Sequence, residues 1–165
     1  MNKGILFALA ITLANAASAS ANDEIHGISP TLLNELNTWL DAETEFGRND
    51  SDPYIKFVEI EHAEELRGVA DHSGGRTRGL YDEETSTIYL MKPWAANNRR
   101  DLSVLLHEMV HHRQSEQHWY CQQAQEWRAY QIQAQWLGDQ NIENDFYWPA
   151  ILLQSSCAKR DIHPE

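Results

Sequence analysis

Asn98-Arg99-Arg100-Asp101-Leu102-Ser103-Val104-Leu105-Leu106-His107-Glu108-Met109-Val110-His111 is the stretch on which the fold of this 165-residue chain turns. Leu102, Leu105, Leu106 and Met109 recur at the spacing of a buried helical stripe. Asn98, with Asp101 three residues on, reads as a carboxylate variant of the capping box. The spacing predicts a helix from about Arg99 to His118. Val104, Leu106 and Val110 extend the apolar surface around most of the turn that carries His107 and His111. This helix is therefore expected in the interior, with its imidazoles sheltered from water.

Upstream of it the period changes. Ser29-Pro30 opens a helix with proline in its first turn, and Leu32, Leu33, Leu36, Trp39 and Leu40 carry it to about Phe46. Residues 47–53 are turn chemistry, and Tyr54–Ile60 alternates as a strand. A short helix is expected around Ala63–Arg67 and a loop at Asp71–Gly75. Thr77–Tyr81 and Thr85–Met91 follow as a hairpin turning at Asp82-Glu83-Glu84. Downstream, Ala124, Trp127, Tyr130, Ala134 and Leu137 predict a helix ending at Gly138, and a last helix spans roughly residues 146–158. A helix, about three strands and then long helices make an α+β domain without internal repeats.

The chain's start adds a compartment. Lys3, the apolar run Ile5–Ala14 and the small residues Ala16–Ala21 have the layout of a cleaved signal peptide over residues 1–21, which leaves 22–165 as one domain in a secreted or periplasmic protein. About ten apolar residues fall short of the roughly 20 that a spanning helix needs, so no membrane contact is expected after cleavage. The net charge of −12 becomes −13 without Lys3, and Arg99-Arg100 is an isolated basic pair; nucleic acid is excluded as a partner. Cys121 and Cys157, in an oxidising compartment, are expected as a disulfide that stabilises by roughly 3–4 kcal/mol in the chain-entropy model. Nothing in the sequence sets an oligomeric state.

The chemistry sits on the interior helix. His107-Glu108-Met109-Val110-His111 is an HExxH motif: residues four apart lie about 40° apart around a helix, so the two imidazoles can grip one metal ion. Glu108, rotated by about 100° from His107, can stand beside a water at that ion, the position of a general base. A catalytic zinc takes a third protein ligand and keeps one position open. A continuation of the type HExxHxxGxxH fails, because Gln114 holds the Gly position and Gln117 the His position. Glu126, 15 residues after His111 on the next helix, is the other candidate.

With Glu126-Trp127-Arg128-Ala129 added, the pattern resembles the HExxH plus ExxA arrangement of small gluzincin-type zinc metallopeptidases, over about residues 85–135. The resemblance implies His107, His111 and Glu126 as ligands of one zinc ion per chain and Glu108 as the base. It implies a minimal zincin-like fold, a small three-stranded sheet packed on the active-site helix. An edge strand, Thr85–Met91, would align an extended peptide or protein substrate by β-addition. Zinc would lower the pKa of its water towards about 7 for attack on a carbonyl. Relatives with ExxA commonly continue with Asp, which orients a zinc-bound His; here that position is Tyr130, so another group must hold the imidazole. Tyr130, Tyr147, Arg128 and His163 are candidates for stabilising the transition state, and Trp94, between the expected edge strand and the helix, for a cleft wall.

Two other classes compete with an enzyme. In a non-catalytic secreted zinc-binding module, His112 or His118 would close the metal site as fourth ligand. In an interaction domain without metal, the motif would be coincidence and a chelator would change nothing.

Overall fold

The computed structural model describes residues 28–59 and 78–157. The expected signal segment and the expected elements at 63–67 and 71–75 lie outside the described residues, as does His163. The described chain runs α1 (Pro30–Glu43), β1 (Tyr54–Val58), β2 (Gly79–Asp82), β3 (Thr87–Met91), α2 (Arg99–Gln114), α3 (Ala124–Asp139) and α4 (Trp148–Gln154). Four helices and a small mixed sheet make this the α+β fold that the patterning implies.

α1 begins where Ser29 accepts the amide of Leu32 and Pro30 occupies the first turn. It ends at Glu43, three residues before Phe46, and is capped by Thr44, whose amide and hydroxyl both bond the carbonyl of Leu40. Strand order in the sheet is β1-β3-β2. β1 runs parallel to β3, from Tyr54 opposite Thr87 to Val58 opposite Met91; β2 runs antiparallel, from Gly79 opposite Leu90 to Asp82 opposite Thr87. All five β3 residues are buried, so the expectation that Thr85–Met91 forms an edge is corrected. The sequence Thr-Ile-Tyr-Leu-Met has almost nothing polar to turn outward, and a strand apolar on both faces goes to the middle of a sheet.

α2 lies at the centre. Thirteen of its 16 residues are buried, which obliges every polar group on it to find a partner inside the protein. Leu102, Leu105, Leu106, Met109 and Val110 meet Leu36 and Leu40 of α1, Ile88 and Leu90 of β3, and Ile132 and Trp136 of α3 in one core. Arg113, itself buried, ties α2 to α1 by donating to the carbonyls of Phe46 and Asn37 and to Asp41 at 2.8 Å. Trp39 donates to Asp139 and Arg128 to Glu45, so α3 is fastened to α1 and to the chain just beyond it.

Apart from the Ser29 and Asn98 caps, the helix ends are decided by groups that the patterning does not expose. Asn98 caps α2 by accepting the Arg100 amide. The capping-box role expected for Asp101 is corrected: its carboxylate accepts from the amide of Ala95 and pairs with Arg78, while its carbonyl takes the indole N–H of Trp94. α2 stops at Gln114, four residues before His118, because the Trp119 indole captures the Gln114 carbonyl at 2.9 Å. α3 passes through Gly138 and closes instead at Asn141, whose φ of 57° lets Ile142 bond back to Leu137. Cys121 and Cys157 form the expected disulfide, with Cα atoms 5.9 Å apart, linking the start of α3 to the end of α4.

Candidate metal centre

His107 and His111 leave α2 one turn apart, and α3 packs along α2 with Glu126 in its first turn. The result is convergence. The two Nε2 atoms are 3.0 Å apart; Glu126 Oε2 lies 3.4 Å from the first and Oε1 3.5 Å from the second. Among the described residues these three form a group able to hold one metal ion, with ligand atoms all within 4.8 Å of one another. Tetrahedral zinc with bonds of about 2.0–2.1 Å separates its ligand atoms by roughly 3.3 Å, so two imidazoles and a carboxylate at these spacings fit it as a donor set.

Electrostatics follow from the crowding. Burial alone would push His111 down. The hydrogen bond and charge of Glu126, with the nearby charge of Glu108, overturn that and lift it to about 9. Burial would likewise raise Glu126, but the imidazoles of His107 and His111 beside it hold it far below the carboxylate range. With no ion between them, the three groups thus keep a proton in the place a cation would take.

The rear nitrogens of both rings are also held. His107 Nδ1 meets Gln133 Oε1 at 3.1 Å, and Gln133 in turn donates to Ser103 at 3.0 Å. His111 Nδ1 meets Gln114 Oε1 at 3.0 Å, and Gln114 donates to the carbonyl of Gln125. Glutamines, and not a carboxylate at position 130, thus stand behind both rings. Gln133 lies two turns beyond Glu126 on the same face of α3, a spacing that could have been read from the sequence; glutamine has no signature that singles it out.

Glu108 is buried against β2. A Cβ on Gly79 would fall 2.8 Å from Glu108 Cγ and from Val104 Cγ1, so only a glycine lets the strand lie on this carboxylate. Among the described residues, the outer strand beside Glu108 is therefore β2, with β3 next to it. Residues 27–165 match the family described as Domain of unknown function (DUF6647). The chain belongs to this family. Comparison with the curated proteins and with the solved structures gives no match.

In this DUF6647 chain the remaining candidates separate cleanly. Tyr130 joins the site, its ring edge-on to His107 with centroids 4.6 Å apart and Phe146 behind it at 5.2 Å. Trp94 is placed elsewhere, its ring tilted against Phe57 with centroids 5.3 Å apart and its indole bonded to Asp101 at the opening of α2, some 9 Å along the helix axis from His107 by the rise per residue. Arg128 is spent on Glu45, and Tyr147 is 72% exposed. His112, a fourth-ligand candidate, is bonded at Nδ1 to the Tyr81 hydroxyl and at Nε2 to the carbonyl of Ser51, and His118 is exposed beyond the end of α2. Among the described residues no helix is long and apolar enough to cross a membrane.

Proposed function

We propose that this chain is a secreted or periplasmic zinc-dependent hydrolase of the gluzincin kind, cleaving a peptide or protein substrate. The observation that carries the reading is the meeting of His107, His111 and Glu126 across two helices beside a buried Glu108. A disulfide among the described residues supports the oxidising compartment. When bound, zinc would make a water acidic enough to lose its proton near neutral pH and would polarise a substrate carbonyl.

The chain's own groups do the rest. His107, His111 and Glu126 supply two neutral donors and one negative one. Glu108, the residue beside the first ligand, accepts the proton from the attacking water and returns it to the departing amine. Its seat against Gly79 keeps the carboxylate from swinging away. Gly79–Asp82, an outer strand of the described sheet, offers backbone groups along which an extended substrate would align by β-addition. A non-catalytic zinc module has no use for a buried carboxylate at position 108, and the histidine it would recruit, His112, has both ring nitrogens committed.

Elemental analysis of the purified protein and two variants after identical dialysis tests this reading. Wild type and Glu108→Gln should each carry about one zinc, and Glu126→Ala much less. In a peptide-library cleavage screen, Glu108→Gln should lose about 100- to 10,000-fold in rate, the range of a general base. Zinc-free wild type under metal-replete conditions would sink the proposal, as would undiminished cleavage by Glu108→Gln.

A further inference from the structure

A zinc-binding histidine must present a lone pair, and which nitrogen has it is settled by what the other nitrogen meets. For His107 the chain of contacts starts at a group whose polarity cannot vary. The backbone carbonyl of Arg100 only accepts, so Ser103, 2.8 Å away, gives it the hydroxyl proton. Ser103 Oγ, its proton spent, accepts from Gln133 Nε2 at 3.0 Å. The carboxamide is thereby oriented with Oε1 towards His107 Nδ1 at 3.1 Å, and an oxygen there demands an N–H from the ring. Nε2 of His107 is left as the lone pair, facing His111 and Glu126.

We infer that Ser103 and Gln133 form a polarity relay, anchored on the Arg100 carbonyl, that fixes the tautomer of His107 before any metal arrives. Both are positioning residues: neither belongs to the ligand group, and each acts through the imidazole. His111 has a shorter chain behind it: Gln114 Nε2 donates to the Gln125 carbonyl at 3.3 Å and turns its oxygen to the ring, which keeps a proton on Nδ1 there too. The arrangement differs from a carboxylate behind the imidazole in one respect. A carboxylate accepts from Nδ1–H in any orientation, whereas a carboxamide accepts only while something holds it from flipping. Ser103 is what holds Gln133. Loss of this one hydroxyl, a turn away from the histidine, lets the NH₂ end rotate towards Nδ1. The proton then moves to Nε2, where it blocks the metal.

The test uses the full secreted chain. In the metal-free protein, long-range ¹H–¹⁵N correlation spectra of the imidazoles should show His107 protonated at Nδ1. Ser103→Ala should shift it towards the Nε2–H form, and Ser103→Thr, which keeps a hydroxyl, should restore the wild-type pattern. Zinc titration against a competing chelator should show Ser103→Ala and Gln133→Ala binding about 10- to 100-fold more weakly than wild type, with Ser103→Thr close to it. Only this second readout rests on the zinc function proposed above. Wild type that binds no zinc defeats that function and leaves the tautomer spectra to decide the relay. Wild-type His107 protonated at Nε2, or Ser103→Ala with an unchanged spectrum and unchanged zinc affinity, overturns the relay while the zinc site stands.

Discussion

His111 and His112 are adjacent on one helix and almost equally buried, 8% and 6% exposed, yet they belong to different parts of the molecule. Both offer Nδ1 to an uncharged side chain, Gln114 for the first and Tyr81 for the second. The difference is the other nitrogen. In His112 it ends on the Ser51 carbonyl, a partner the fold supplies permanently. In His111 it ends on another histidine's Nε2 and on a carboxylate, a combination that two neutral imidazoles cannot satisfy without a proton or a cation between them. Burial therefore says nothing about which histidine works. What a ring faces at its second nitrogen separates a wall from a site.

The largest expected effect is the loss of metal on one side of that comparison alone. His111→Ala should weaken zinc binding by at least about 1,000-fold, some 4 kcal/mol and a decade beyond what an outer partner costs, while His112→Ala keeps about one zinc per chain. Equal loss in both variants would erase the distinction. Next comes the covalent support of the metal side. The disulfide fixes the junction that hands Glu126 to the site, so the double variant Cys121→Ser/Cys157→Ser should lose roughly 3–4 kcal/mol of unfolding free energy in denaturant with chelator present, the cost of a 36-residue closure. On the other side, His112→Ala leaves the Tyr81 hydroxyl and the Ser51 carbonyl without their partner and opens a void. Calorimetry should show about 2–3 kcal/mol of destabilisation without change in zinc content. A His112 variant as stable as wild type would mean that its two hydrogen bonds hold nothing together.

How much of this could be read in advance follows the same division. HExxH, Glu126 and the cysteine pair were legible because each is a residue type with few uses at a fixed spacing, and α2 was legible because its apolar stripe repeats along one helix. The sheet order was not. That β3 lies between β1 and β2 depends on pairing across distant segments, and a five-residue apolar strand has the same composition at an edge as in the middle until its neighbours are known. The Asp101 cap failed for a related reason: Arg78 and Ala95, which claim its carboxylate, are brought there by tertiary structure. Gln114 and Gln133 stayed hidden because glutamine is ordinary on helices. Their importance appears only when a histidine nitrogen is found against each.

The smallest effect is also the one that probes the comparison without mutation. In the metal-free site His111 is lifted to about 9 by Glu126, against an ordinary 6.5. A raised histidine stabilises the fold fully below its unfolded value and loses that contribution as pH rises through the folded one, here between about 6.5 and 9. Glu126, depressed, contributes above its ordinary 4.5 and loses its contribution as pH falls below it. The metal-free protein should thus gain most from this pair between about pH 4.5 and 6.5. Zinc reverses the preference on the alkaline side, because it must displace the His111 proton. Its apparent affinity should climb about tenfold per pH unit, 1.4 kcal/mol each, until it flattens near 9, with one proton released per ion bound at neutral pH. Isothermal titration in two buffers of different ionisation enthalpy measures that proton directly. A His112→Ala variant should release the same proton, since its ring takes no part in holding it. Release of no proton at pH 7 would mean that His111 meets zinc already neutral, and the contrast between the two histidines would then rest on geometry alone.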